Sequence, residues 1–399
     1  VIFIIMNVFS LPHAFPMLYK KLDVYIPSEE EQSHSLSSYL QEIKEKICMY
    51  DSWEIFKEYT NPYEYIHTKT PHKKSVASYQ PLSRSYFKMI EILKQFSLLY
   101  PYRNQSIRTF HLAEGPGGFV EAVLNMRKSQ VPISIYHKDS YHAITLIQEN
   151  NKSVPSWRRS HFFIRNNPNV HIELGSDLTG NLLHMENFVD MVTKYGSQMD
   201  LITADGGFDF SEDFNRQEIC ILPLLVAQIC YALSLQKAEG CFVLKIFDCF
   251  LPATIDLLYL LSSCYENVYL TKPLTSRVAN SEKYIVCENY HHENYHDIYA
   301  HLFGWFKTIL EIKPENWKSS LRMLNVKIPR FFTSKLDEYC LILGHQQINN
   351  IFSTLSLIHN KNNRNGKIEY LIKIHISKCL CWCLKHNIAV DKFFTNHLV

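Results

Sequence analysis

Neither sign of charge dominates: 41 Lys and Arg stand against 39 Asp and Glu in 399 residues, a formal net charge of +2. That balance excludes a histone-like polycation and an acidic disordered tail. A local basic groove stays open, because steering depends on where charges sit rather than on their sum. Internal repeats and low-complexity tracts are missing. Long apolar runs are few. The start VIFIIMNVF has no basic residue before it and no small-residue cleavage site after it, so it makes a poor signal peptide, and it is too short to span a bilayer. Met6 is a candidate initiator within it. The stretch Ile219 to Leu235 is long enough to raise a membrane question, but it holds Pro223 and Gln228 and lies between two strand-like segments. It reads as a buried crossover helix. The eleven cysteines are an odd count, and most sit in apolar runs such as those of Cys230, Cys241 and Cys264. They read as reduced thiols in an intracellular compartment, not as a secreted disulfide framework.

An apolar content of 46% in a chain this long suits two to three packed domains. Residues 1–104 read as a mainly helical region, with SSYLQEIKEKICMY at helical spacing and a basic surface loop, HTKTPHKKSVASYQPLSR. From 105 to 290 the pattern changes to strands alternating with helices. IRTFHLA is a strand, GPGG a turn and FVEAVLNMRK a helix, while MDLITA and GCFVLKIF suit buried parallel strands. VYLTKP and KYIVCENY add two more strands. The fold class is α/β, a doubly wound Rossmann-like sheet with helical N- and C-terminal extensions. Residues 291–399 form a helical appendage.

The first strand ends in HLAEGPGGF, which puts Gly115, Gly117 and Gly118 at the sheet edge where α/β proteins bind ligands. The turn matches neither G-x-G-x-x-G nor G-x-x-x-x-G-K-[ST]. A ligand-free strand-to-helix turn is an equal reading of the turn alone. Four polar residues change that balance. Asp205 ends MDLITAD, Lys245 lies in an apolar strand, Glu282 opens EKYIVC, and Lys88 lies on SRSYFKMIEIL. A lysine in a buried strand is costly unless paired or functional, and a structural ion pair with Asp205 or Glu282 is the plainer alternative.

These blocks resemble, in order and spacing, the FtsJ/RrmJ-like 2′-O-ribose methyltransferases, from about Ser83 to Cys287. Within that family the chain looks closest to the Adrift-type enzymes of the mRNA cap and to homologues in large DNA viruses. The resemblance implies a Rossmann-like S-adenosylmethionine-dependent methyltransferase sheet and a catalytic tetrad of Lys88, Asp205, Lys245 and Glu282. Lys245 would be the general base, Asp205 would orient it, and Glu282 would fix Lys88 or the ribose. No metal is needed for that scheme. The cofactor S-adenosyl-L-methionine would lie across Glu114, Gly115, Pro116, Gly117, Gly118 and Phe119, beside Asp205, with Asp177 in GSDLTGNL bonding the adenine amino group. His142 stands where the family would place an aromatic contact, a departure that weakens any role for it.

The implied partner is the capped 5′ end of mRNA, with other capping or transcription proteins as further candidates and no membrane. Arg277 and then Lys272 are the first candidates to hold the RNA backbone. Two other clusters, Arg158–Arg159 and Lys73–Lys74, read equally as solvated loops. The expected setting is the nucleus or cytoplasm, or the host cytoplasm or virion for a viral chain. Methylation of internal rRNA or tRNA riboses and a non-catalytic RNA-binding subunit of a capping complex are the alternatives. In SKCLCWCLKHN, the thiols of Cys379, Cys381 and Cys383 recur every second residue, so a helix turns them to different sides. With His386 they read as core packing and not as a metal site.

Overall fold

The computed structural model describes residues 7–15, 17–27, 35–148, 155–208, 216–292, 294–313, 316–360, 362 and 364–395. The expectation about Val1 to Met6 lies outside the described residues. In chain order the strands are β1 (Asn7–Ser10), β2 (Leu22–Tyr25), β3 (Arg108–Leu112), β4 (Ser140–Ile144), β5 (Val170–Glu173) and β6 (Met199–Ala204). They continue as β7 (Gln236–Ile246), β8 (Tyr265–Lys272), β9 (Lys283–Tyr290) and β10 (Arg322–Leu324). The helices begin with α1 (Ser35–Ile47), α2 (Trp53–Thr60), α3 (Ser85–Gln95), α4 (Gly118–Gln130), α5 (Ile133–Tyr136), α6 (His161–Asn166) and α7 (Met185–Tyr195). After them come α8 (Gln217–Leu235), α9 (Pro252–Cys264), α10 (His296–Glu311), α11 (Arg330–His359), α12 (Arg364–Lys385) and α13 (Lys392–Thr395).

Eight strands form one sheet in the order β1-β8-β9-β7-β6-β3-β4-β5. β3 to β7 run parallel, whereas β9 is antiparallel to both β7 and β8, and β1 is antiparallel to β8. The chain moves outward from β3 to β5 and then returns to place β6 on the other side of β3. That reversal opens a crevice at the carboxyl ends of β3 and β6, where open α/β sheets place ligands.

Alternation along the strands sorts side chains into two cores. Phe242, Leu244 and Ile246 join one, with α8, α9 and α10, while Cys241 and Val243 join the other, with α3, α4 and α12. The apolar run read as a crossover helix is α8, 83% of it buried within the fold. Its Gln228 has no exposure and is paired: Oε1 accepts the Gly206 amide at 3.1 Å and Nε2 donates to the Leu224 carbonyl at 3.0 Å. A polar group buried at such depth would otherwise cost about 1–3 kcal/mol.

The terminal regions hold elements that the sequence reading did not foresee. β1 forms the eighth strand of the sheet, and β2 pairs with β10 from the C-terminal region. α1 and α2 pack on α11. The basic connector is irregular, as its prolines and polar residues imply, but it is not wholly a surface loop. Val76 and Ala77 are fully buried, and Ala77 bridges to Val390. Lys73 and Lys74 remain exposed, the latter 3.7 Å from Asp391.

Candidate active site

Lys245 follows Cys241 and Val243 in the strand alternation, so its side chain leaves β7 on the α3 and α4 face. Register does the rest. Lys245 is paired with Tyr284 across β9, and Ala204 with Leu244 across β6, which sets Asp205 beside Lys245. Lys245 Nζ lies 3.2 Å from Asp205 Oδ1 and donates to the Asp205 carbonyl at 2.6 Å. Gly207 backs the ammonium: a Cβ there would stand 3.2 Å from Nζ.

Glu282 precedes β9 on the same face as Tyr284. Its Oε1 lies 2.6 Å from Lys88 Nζ, on α3, and accepts the Ser276 hydroxyl at 3.0 Å. Burial works to raise its pKa, but the Lys88 and Lys245 ammonium groups outweigh that and hold the carboxyl well below the usual carboxylate range. The four residues picked from the sequence therefore meet at one edge of the sheet, as two ion pairs.

A fifth residue joins them. Tyr284 is fully buried, and its hydroxyl lies 3.2 Å from both Asp205 Oδ1 and Glu282 Oε1. Burial, and after it the two carboxylates, push the phenol well above its ordinary pKa, so it stays protonated and serves as the shared donor. The signal for it was in the sequence. Tyr284 stands two residues after Glu282, the strand repeat that puts two side chains on one face.

The glycine turn lies next to this group. Glu114 N donates to the Ile144 carbonyl and Asp205 N to the Leu112 carbonyl, both at 3.3 Å, which knits the ends of β3, β4 and β6 together. Gly117 has φ of 108°, a backbone that side chains disfavour. Gly118 opens α4 against α3, where a Cβ would fall 2.2 Å from the hydroxyls of both Ser83 and Ser85. This glycine thus permits close helix packing next to the Lys88 helix. Gly115 packs against Thr145 and the 155–156 backbone, and the Pro116 carbonyl accepts the Ser160 hydroxyl.

Glu114 Oε1 accepts the Phe119 amide at 2.5 Å, whereas Oε2 is buried without a partner among the described residues. Burial, reinforced by the Asp205 charge, raises this carboxyl well above its usual pKa. The Phe119 ring is fully buried in the core, and its amide donates to Glu114.

Several other expected contacts are also committed within the protein. Asp177 Oδ1 accepts from Thr179 N at 2.9 Å, Thr179 Oγ1 at 2.8 Å and Asn187 Nδ2 at 2.8 Å, and Oδ2 faces His184 Nδ1. These bonds brace the 175–184 loop around the carboxylate expected to read adenine, whose side chain stays 26% exposed. His142 lies inside β4 and bonds Ser140 and Glu173, away from the carboxyl edge.

The cations expected to meet RNA are tied down as well. Arg277 makes a two-pronged pair with Glu64, at 3.0 and 2.7 Å, and Arg84 adds a third cationic contact at 3.1 Å. Lys272 Nζ donates to the Asn280 and Glu282 carbonyls at 2.6 and 2.8 Å. Both residues brace the loop that delivers Glu282. Arg158 and Arg159 are exposed. Cys379 and Cys383 are buried in the α12 core with His386 stacked on Trp382, and no metal-binding cluster occurs among the described residues.

A family model for FtsJ-like methyltransferase matches residues 81–290, just over half of the chain. The chain belongs to the FtsJ-like methyltransferase family. The matched segment contains all four tetrad residues, Tyr284 and the glycine turn. A zebrafish (Danio rerio) protein named cap-specific mRNA (nucleoside-2′-O-)-methyltransferase 2 is 28% identical over 83% of this chain and 43% of its own length. The Drosophila melanogaster protein of that name is 30% identical over 52% of this chain and 30% of its own. The human cap-specific mRNA (nucleoside-2′-O-)-methyltransferase 1 is 37% identical over 44% of this chain and 20% of its own. The chain therefore spans less than half the length of these relatives. They are animal proteins and lend no support to the viral origin entertained from the sequence.

Proposed function

We propose that this FtsJ-like methyltransferase transfers a methyl group from S-adenosylmethionine to a ribose 2′-hydroxyl near the capped 5′ end of mRNA. The observation that carries the reading is the continuous line of contacts Lys245–Asp205–Tyr284–Glu282–Lys88 beside the turn after β3. S-adenosylmethionine, when bound, supplies a methyl group already activated on a sulfonium. The chain's own task is to align the acceptor hydroxyl and take up its proton.

The residues at the turn fit such a cofactor. The orphaned Glu114 Oε2 would be satisfied by an ammonium, whose charge would also hold the carboxyl ionised against the burial that raises its pKa, and Asp205 stands at the adjoining strand end. Lys245 Nζ would accept the 2′-hydroxyl proton, a role open only to the neutral amine, so the ammonium paired with Asp205 must first release its own proton. Asp205 aims that nitrogen through its carboxylate and carbonyl oxygens. Lys88, held by Glu282, sets a second donor against the ribose. Fixing both reactants in register is worth on the order of 7–11 kcal/mol in favourable model systems.

The names of the relatives support a capped substrate. A reducing, intracellular setting agrees with eleven unpaired cysteines. The test supplies the protein with labelled cofactor and short RNAs of one sequence, with and without a 7-methylguanosine cap. Nuclease digestion and mass analysis should find the new methyl on a ribose close to the cap. Transfer at internal positions irrespective of the cap would favour a different RNA class, and no transfer to any RNA would end the reading.

A further inference from the structure

Beside the active site lies a cavity of about 480 Å³, bounded by the loop after β8 and by segments outside the family-matched region. Its polar wall includes Asn7 at the start of β1 and Gln346, Asn350 and Ser353 on α11. Tyr63 and Leu274 supply apolar surface. The cavity reaches the tetrad through two shared residues: Ser276, whose hydroxyl bonds Glu282 Oε1, and Lys272, whose ammonium bonds the Glu282 carbonyl.

The chemistry of this wall is distinctive. Lys272 is its one charged residue, and that ammonium is already given to two backbone carbonyls. A phosphate would find a single cation here, with two of its three N–H groups already taken, and a cationic ligand would find no carboxylate. What the wall offers is amides held in place. Asn350 Nδ2 donates to the Thr60 carbonyl at 3.0 Å, and Asn7 Nδ2 donates to Gln346 Oε1 at 3.4 Å. That leaves Asn7 Oδ1 as an acceptor and Gln346 Nε2 as a donor without a hydrogen bond among the described residues. Amide acceptors and donors together with apolar surface from Tyr63 and Leu274 suit the polar edge and apolar face of a neutral nucleobase. The volume lies within the range of small-ligand sites.

We infer that this cavity is a subsite for an uncharged base of the RNA strand at or next to the methylated nucleotide, built from the chain's terminal segments. The inference rests on the proposed RNA 2′-O-methyl transfer, and the experiment separates the two. The protein is given short capped RNAs that are either intact or carry one abasic ribose at each of the first three transcribed positions. Both the dissociation constant, by fluorescence anisotropy, and the methylation KM and kcat are measured. One abasic position should weaken binding and raise KM by roughly tenfold, the scale of one lost base contact.

Ser353→Phe, which fills the cavity, and Gln346→Leu, which removes an amide at similar volume, should weaken binding of the intact RNA by a similar factor. They should also erase the difference between intact and abasic RNA, with kcat and thermal midpoint retained. RNA that binds with this pattern but accepts no methyl group would overturn the proposed activity and leave the subsite standing. Intact RNA bound equally well by wild type and both variants, or no penalty at any abasic position, would overturn the subsite whatever the activity.

Discussion

Replacing Tyr284 by phenylalanine removes one oxygen and keeps the ring that packs 5.9 Å from Phe119. The lost hydroxyl is the donor that links the two carboxylates of the site, at 3.2 Å from each. Hydrogen bonds to charged groups contribute about 1.5–3 kcal/mol. Contacts of 3.2 Å shared between two acceptors belong near the lower end, so the loss should be about 1.5 kcal/mol, close to tenfold in kcat. The thermal midpoint should fall as well, because two buried carboxylates each lose a donor. Steady-state kinetics on capped RNA would read the effect. Wild-type kcat would show that the hydroxyl is only packing, and the reasoning from this geometry would fail.

Gly118→Val should destabilise the protein by about 1–3 kcal/mol, the usual range for overpacking, because its Cβ would collide with Ser83 and Ser85 where α3 begins. Urea midpoints would report that loss, and methyl transfer should fall with it as Lys88 is displaced. Acid should unfold the protein steeply. Glu64, Asp248 and Glu282 have folded-state pKa values depressed below their ordinary 4.5, 3.8 and 4.5, chiefly because paired cations outweigh the cost of burial. Their stabilisation is complete above about pH 4.5 and is lost as the pH falls further, since the unfolded chain then binds more protons. Buried His111 and His386, pushed down to about 3, act in the same direction over that range. Denaturant titrations at pH 5, 4 and 3 check this, and equal midpoints at all three would refute it.

The sheet and the tetrad were legible because each rests on local pattern. GCFVLKIF and MDLITAD carry both their strand character and their functional residue within a few positions. Strand periodicity puts Tyr284 on the face of Glu282, but a tyrosine in a buried strand needs no explanation beyond packing. What escaped depends on partners far apart in the chain. Arg277 is an exposed-looking arginine in TSRVANS until Glu64, 213 residues earlier, is folded against it. The bonding of Asp177 escaped for another reason: its four donors lie within ten residues, but only the folded loop brings them to the carboxylate. β1 is a four-residue edge strand, and nothing local to it specifies its pairing with β8.

The most direct test of the account is methyl transfer by Lys245→Arg to a capped RNA, measured with cofactor binding to the same sample. Arginine keeps the positive charge beside Asp205 but does not give up a proton near neutral pH. If Lys245 Nζ accepts the ribose proton, the variant should bind S-adenosylmethionine as wild type does and transfer less than about one-hundredth as fast, the scale of a lost general base. Turnover near that of wild type would contradict proton abstraction by Lys245 and leave the residue only as a charge held against the ribose.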